Sequence, residues 1–239
     1  MQTIIYDPNN REVAKTHSVV QTKQNNVVEA VQTTTVKSPM LWDLDTPNLY
    51  TAKTTLIQGD KFLDSYQTTF GIRTIAYGAD FGFKLNGKKT RFKGVCLHHD
   101  LGPLGTAVNT RATERQLEIM QDMGVNAIRT SHNPPSPEQV QLCDQMGLMI
   151  QVEAFDVWQM AKVENDYSKH FDDWHEEDLR DMIRIFRNSP SVVMWSIGNE
   201  ILEQSHNTKG TEIAKKLVAI CKDEDCLLYT SDAADEEDS

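Results

Sequence analysis

Two periods divide the chain. Up to about residue 77, polar and apolar positions alternate over short runs rich in Val, Thr, Ile and Tyr, with turn signals between them. The pattern predicts strands over Thr3–Tyr6 and Glu12–Val20 around the turn Asp7-Pro8-Asn9-Asn10. Further strands are predicted at Val27–Val36, Tyr50–Ile57 and Phe62–Phe70, the last two joined by Gly59-Asp60. Short strands at this spacing, without helical periodicity, predict a small antiparallel sandwich that serves as scaffold.

From about residue 82 the period changes. Apolar runs at Phe92–His98, Val125–Thr130, Leu148–Phe155 and Val192–Ile197 predict strands. Helical patterns follow them at Arg111–Met123, Pro137–Met146, Phe171–Arg187 and Thr208–Lys222. Gly124 and Gly147 close the first two helices. Four β-α units with nearly continuous apolar strands predict a parallel sheet covered by helices, either a small open sheet or half of an eight-unit barrel. The polar residues favour the barrel. His98, His99 and Asp100 end the first of these strands, Arg129 and His132 the second, Glu153 and Asp156 the third, and Asn199 and Glu200 the fourth. Ionisable groups at the carboxyl ends of successive parallel strands are the arrangement of a barrel active site.

Composition narrows the function classes. The net charge of −11 argues against nucleic-acid binding and against attraction to anionic membranes. No apolar run approaches the roughly 20 residues of a membrane helix, and the first residues carry no signal-peptide pattern. Four cysteines show no metal spacing; Cys96 and Cys143, inside apolar stretches, are expected to be buried thiols.

Glu200 is the sharpest chemical candidate. It stands just past the apolar strand Val192-Val193-Met194-Trp195, and a carboxyl beside apolar walls tends to hold its proton, as a general acid must. On chemistry alone a first-turn acid of the following helix fits equally. His98-His99-Asp100 with Glu153 and Glu200 suggests a metal site, but adjacent residues on a strand point to opposite faces, which weighs against it. The same objection applies to Asn199 and Glu200 unless the strand bends there, which Gly198 permits. Arg129, on an inward-pointing strand end, needs a carboxylate neighbour. Trp195 reads as core, Trp158 either as core or as a sugar-stacking platform. The acidic run Asp172–Asp178 reads as a solvated helix face.

These strings together resemble glycoside hydrolase family 2, the β-galactosidases, β-glucuronidases and β-mannosidases, over about residues 1–225. The matching strings are Leu49-Tyr50, Phe70-Gly71-Ile72-Arg73-Thr74, Asn86-Gly87-Lys88 and Lys93-Gly94-Val95-Cys96-Leu97-His98-His99-Asp100. Asn126-Ala127-Ile128-Arg129-Thr130-Ser131-His132-Asn133-Pro134 and Trp195-Ser196-Ile197-Gly198-Asn199-Glu200 complete the set. The resemblance implies an immunoglobulin-like β-sandwich over residues 1–77, followed by the first half of a TIM (β/α)8 barrel over residues 78–225. It implies hydrolysis of terminal β-linked sugars with retention, β-galactosides first, with Glu200 as acid/base. It makes Asn199 the partner of the sugar 2-hydroxyl, Arg129 the partner of the nucleophile, and His98 and His132 substrate contacts; Asp156 joins them in the substrate site. No cofactor is implied. Val157 stands about where some β-galactosidases carry a magnesium-binding glutamate, so no metal ligand is carried over, and Ser189 replaces the usual His before Pro190. The implied partner is a carbohydrate substrate, with homo-oligomer formation open for the full-length parent. The rival readings are a non-catalytic sugar-binding scaffold on the same fold and a metal-dependent hydrolase.

Both ends read as truncated. The family's nucleophile is expected beyond the end of this chain, and the isolated chain is expected to be inactive and poorly folded. Inner side chains such as Val193, Trp195 and Ile128 are expected to be partly wet in a half barrel. Residues 226–239 hold five acids and no Lys or Arg, and resemble one reading frame of a sequencing adapter. That tail is expected to be an artefactual, disordered segment.

Overall fold

The computed structural model describes residues 1–204 and 209–225. The expected tail 226–239 and the expected helix start at Thr208 lie outside the described residues.

The amino-terminal part is one antiparallel sheet in the order β2-β1-β3-β4, built from β1 (Gln2–Tyr6), β2 (Glu12–His17), β3 (Tyr50–Gln58) and β4 (Lys61–Phe70). Asp7 turns the first hairpin by accepting the Asn9 and Arg11 amides on Oδ1. Across the register Ile5, Ala52 and Thr68 share one face with Tyr50 and Phe70, whose rings stack at 5.7 Å. No strand forms over Val27–Val36. A strand exists only by pairing, and the alternation there supplies propensity without a ladder partner; Val27 and Val31 are 96% and 82% exposed. The segment is instead tethered by Gln32, which accepts from Thr3 Oγ1 and donates to Ser18 Oγ.

A three-stranded meander, β5 (Ile75–Gly78), β6 (Gly82–Leu85) and β7 (Lys88–Lys89), leads into the second part. There β8 (Gly94–His98), β9 (Ala127–Ser131), β10 (Met149–Glu153) and β11 (Val192–Ser196) lie parallel and in sequence order, alternating with α1 (Thr110–Asp122), α2 (Pro137–Met146), α3 (Ser168–Phe186) and α4 (Lys209–Glu224). Helix starts follow local chemistry: Asn109 Oδ1 caps α1 at the Ala112 amide, and Ser136 caps α2 ahead of Pro137. Gly147 ends α2 in the left-handed conformation. A Cβ there would sit 2.2 Å from the Leu44 carbonyl oxygen, so the residue must be glycine both for the turn and for the contact with the amino-terminal part.

Val192, Trp195 and Ile128 pack in the main core with the helices, whereas Val193 joins Trp42, Phe83, Leu85, Ala127 and Met149 in a second core that plugs the amino-terminal end of the parallel sheet. Val193, Trp195 and Ile128 are therefore buried, at 2%, 6% and 1% exposure, and not partly wet. Trp195 and Ile128 point outward to the helices, and the plug covers Val193. The inward-facing row is instead Cys96, Arg129, Gln151 and Met194, aligned by the strand register. Cys96 is thus exposed, not a buried thiol, whereas Cys143 is fully buried as expected. The plug is fixed by polar contacts: Trp42 Nε1 donates to the Asp144 carbonyl at 2.8 Å, Arg73 Nε to Pro190 O at 2.5 Å, and Tyr77 to Val193 O at 2.6 Å.

Candidate functional site

The carboxyl ends of β9, β10 and β11 bring most of the predicted residues into one cluster centred on Glu153. Its side chain is fully buried and fully used. Oε2 accepts Arg129 Nε at 2.9 Å, Arg129 Nη2 at 2.7 Å and Ser196 Oγ at 2.6 Å, while Oε1 lies 2.7 Å from His132 Nδ1. The Glu153 amide donates to Thr130 Oγ1, which fixes the strand end itself. A carboxylate on Nδ1 requires the proton there, leaving His132 Nε2 as the free nitrogen. Arg129 is the cation expected to need a carboxylate, and Glu153 is that carboxylate. Burial pulls the guanidinium pKa down, but the hydrogen bond and charge of Glu153 more than offset it, so the net shift is upward.

Asn199 is the second hub. Its Oδ1 accepts Arg129 Nη2 at 2.9 Å, its Nδ2 donates to Asp156 Oδ1 at 2.9 Å, and its amide donates to Phe155 O at 3.1 Å. Burial alone would raise the Asp156 pKa. Hydrogen bonds from Asn199 and Lys162, with the charges of Lys162 and His132, prevail and hold the carboxylate below its ordinary range. His98 meets His132 edge to face at 5.0 Å, on the inward face, and His99 falls on the opposite face of the strand as alternation requires.

Glu200 follows Asn199 with φ +45°, left-handed for a residue with a side chain, and it is exposed. The apolar strand before it does not enclose it, since the residue itself is exposed. Val192 and Trp195 face the helix core, Val193 faces the plug, and the carboxyl lies past the strand end on the turn. Gly198 matters here for space: a Cβ would meet Trp158 Nε1 at 3.0 Å. Trp158 itself is 2% exposed and donates to Ile197 O at 2.7 Å, so it is core under the turn and not a platform for sugar. Asp172–Asp178 is exposed except for His175, which stacks on Phe171.

Sequence reasoning missed Ser196 and Lys162, and gave Glu153 a strand end and a part in a metal alternative but not the place of a hub. Ser196 entered only as part of the string Trp195–Glu200. Lys162, whose ammonium reaches Asp156 Oδ1 at 2.9 Å and Asn199 O at 2.7 Å, comes from an irregular loop with no periodicity to place it.

An Arg–Glu–His–Asn constellation and an exposed glutamate at the carboxyl ends of parallel strands stand where barrel proteins carry their active sites, and comparison with known proteins gives the family. The family model of the glycosyl hydrolases family 2 TIM barrel domain matches residues 62–228, and that of glycosyl hydrolases family 2 matches residues 1–73. This chain belongs to glycosyl hydrolase family 2. It is 50% identical over 210 residues to the β-galactosidase BoGH2A of Bacteroides ovatus, covering 88% of this chain and 25% of that protein. It is 33% identical over 196 residues to a β-glucuronidase of Streptococcus agalactiae, covering 77% of this chain and 32% of that one. The crystal structure of a family 2 member from Bacteroides cellulosilyticus superposes with a TM-score of 0.91 at 40% identity, over 95% of this chain and 29% of that chain. The chain thus spans about a quarter to a third of the length of these relatives.

Proposed function

We propose that this chain carries the acid/base half of the active site of a retaining β-glycosidase that acts on terminal β-linked sugars, β-galactosides first. In this reading residues 1–77 are scaffold and residues 78–225 are the first four units of the catalytic barrel. The nucleophile is a carboxylate outside this chain, and the 239 residues alone are inactive. No metal or cofactor takes part in the reading.

One observation carries it. Asn199 is locked by Arg129 and Asp156 while the next residue, Glu200, stands exposed with its carboxyl free to meet a ligand. A sugar bound over this cluster would present its 2-hydroxyl to Asn199 and a neighbouring hydroxyl to His132 Nε2 or His98. Glu200 would protonate the glycosidic oxygen as the aglycone leaves. It would then deprotonate the water that resolves the glycosyl-enzyme, the two carboxyls standing about 5–5.5 Å apart in the assembled site. The galactose preference rests on the likeness to the Bacteroides ovatus protein and on the His98-His99-Asp100 run.

The test uses a polypeptide of the relatives' length that carries this chain. Glu200→Gln is expected to lower kcat/KM by about 10²–10⁴-fold for β-galactosides with poor leaving groups. Dinitrophenyl glycosides, which need little protonation, should still form the glycosyl-enzyme, and azide should speed its turnover. Equal loss on both substrate types refutes the acid role.

A further inference from the structure

We propose that Lys162 is a positioning residue for the acid/base turn: its ammonium holds the peptide carbonyl that immediately precedes Glu200. This rests on the reading of Glu200 given above and adds to it the device that aims the carboxyl.

The need for such a device is visible in the backbone. Glu200 has no side-chain partner among the described contacts, so its direction is set by the peptide planes on either side. The plane before it, Asn199–Glu200, places Glu200 at φ +45°, a conformation that side-chain-bearing residues disfavour. A flip of that one peptide would move φ of Glu200 toward the ordinary negative region and relieve the strain, turning the Asn199 carbonyl away from Lys162 and loosening the turn that carries the carboxyl. Four contacts hold Asn199. Its amide is held by Phe155 O, its side chain by Arg129 and Asp156, and its carbonyl oxygen by Lys162 Nζ at 2.7 Å. Only the last acts on the peptide that would flip. A charge-assisted hydrogen bond is of the same order as the strain it must hold.

Lys162 is itself built in. Its amide and that of Val163 donate to Asp166 Oδ2 at 2.7 and 2.9 Å, and Asp166 Oδ1 takes the amide and hydroxyl of Ser168 at the start of α3. Its ammonium also meets Asp156 Oδ1 at 2.9 Å, the oxygen that receives Asn199 Nδ2. Asp156, Lys162 and Asn199 thus close a ring that ties the loop after β10 to the turn after β11. The Lys162 side chain is 22% exposed, so the clamp sits at the edge of the site and is partly shielded from water.

The experiment compares Lys162→Met, Lys162→Arg and Glu200→Gln in a polypeptide of the relatives' length. It measures kcat/KM across aryl β-glycosides of increasing leaving-group pKa, with unfolding recorded for each variant. K162M is expected to lose at least tenfold on the poorest leaving groups and less than threefold on the dinitrophenyl glycoside, with K162R restoring most of the loss. A purely structural role would lower the whole series alike, and that result, or no loss at all, overturns the proposal. Should K162M fail to unfold cooperatively, Asp166→Asn, which loosens the turn carrying Lys162, is judged by the same selectivity. The E200Q series separates the two failures. If E200Q shows no leaving-group selectivity, the glycosidase reading falls and this inference with it. If E200Q shows it and K162M does not, only the role of Lys162 falls.

Discussion

Glu153 shows why a site can be legible by residue type and still be misread by role. Its place at the end of an apolar strand marks it as unusual, but the sequence does not reveal that its two oxygens serve Arg129, His132 and Ser196 at once. Those partners are separated from it by 24, 21 and 43 residues, so only the strand register joins them. Arg129, His132, Asn199 and Asp156 were legible because strand-end polar residues have few other reasons to occur. Glu200 was legible as a candidate from its place past an apolar strand, of which Val192 and Trp195 face the helices, Val193 the plug and only Met194 the inner face. The hub makes a prediction. Glu153→Ala leaves Arg129 without its carboxylate, and breaking a buried pair costs about 3–5 kcal/mol, less here because the Arg129 side chain is 31% exposed. A loss of about 2–3 kcal/mol is expected in urea unfolding, with the His132 ring resonances shifting as Nδ1 loses its acceptor. Unchanged stability would show that Arg129 finds another carboxylate.

At the level of elements, the helices and parallel strands were readable because burial imposes a period, and α2 begins and ends where Pro137 and Gly147 say it should. The failure at Val27–Val36 has the opposite cause, since pairing is decided by the partner strand and not by the segment. The junction between the two parts was also hidden. There Asp144, on the last turn of α2, is 6% exposed and accepts the Ser191 amide at 3.0 Å, while its own carbonyl takes the Trp42 indole. Burial pushes its carboxyl up to about 6, against hydrogen bonds from Ser191 and Ser189 and the charge of Arg73. An acid whose folded pKa is raised stabilises the fold most when protonated. Its contribution is present below the unfolded value near 4 and is lost as pH rises through about 6. Two pH units correspond to about 3 kcal/mol. Asp144→Asn keeps the acceptor for Ser191 and removes the titration. Urea unfolding between pH 4 and 7 should therefore show a stability decline in the parent chain that is flattened in the variant; parallel curves would place the titration elsewhere.

At the scale of the whole molecule, the alternation of strand and helix reveals a parallel sheet, and the ends of that sheet decide how the chain behaves. The order β11-β10-β9-β8 leaves β8 and β11 as edges, each offering backbone N–H and C=O groups to any strand that reaches them. The helices cover the outer face and the plug covers one end, so the large apolar side chains of the sheet are already buried. What remains open is the inward row of Cys96, Arg129, Gln151 and Met194, half of it polar, so leaving it open costs less than exposing a wholly apolar row. The balance therefore favours a chain that folds locally and associates through its edges over one that fails to fold. Catalysis is a separate matter. General acid assistance contributes only about 10²–10⁴-fold, and a glycosidase needs the second carboxylate for the rest. The 239-residue chain, expressed alone, should elute as concentration-dependent oligomers on size-exclusion chromatography while unfolding cooperatively. It should hydrolyse nitrophenyl β-galactoside at the rate of the buffer blank. A monomer at all concentrations would mean that the edges are covered by something in the chain itself. Turnover near that of an intact glycosidase would mean that a nucleophile lies among these residues, and Asp156, the half-buried carboxylate bonded to Asn199 in the cluster, would be the first to replace.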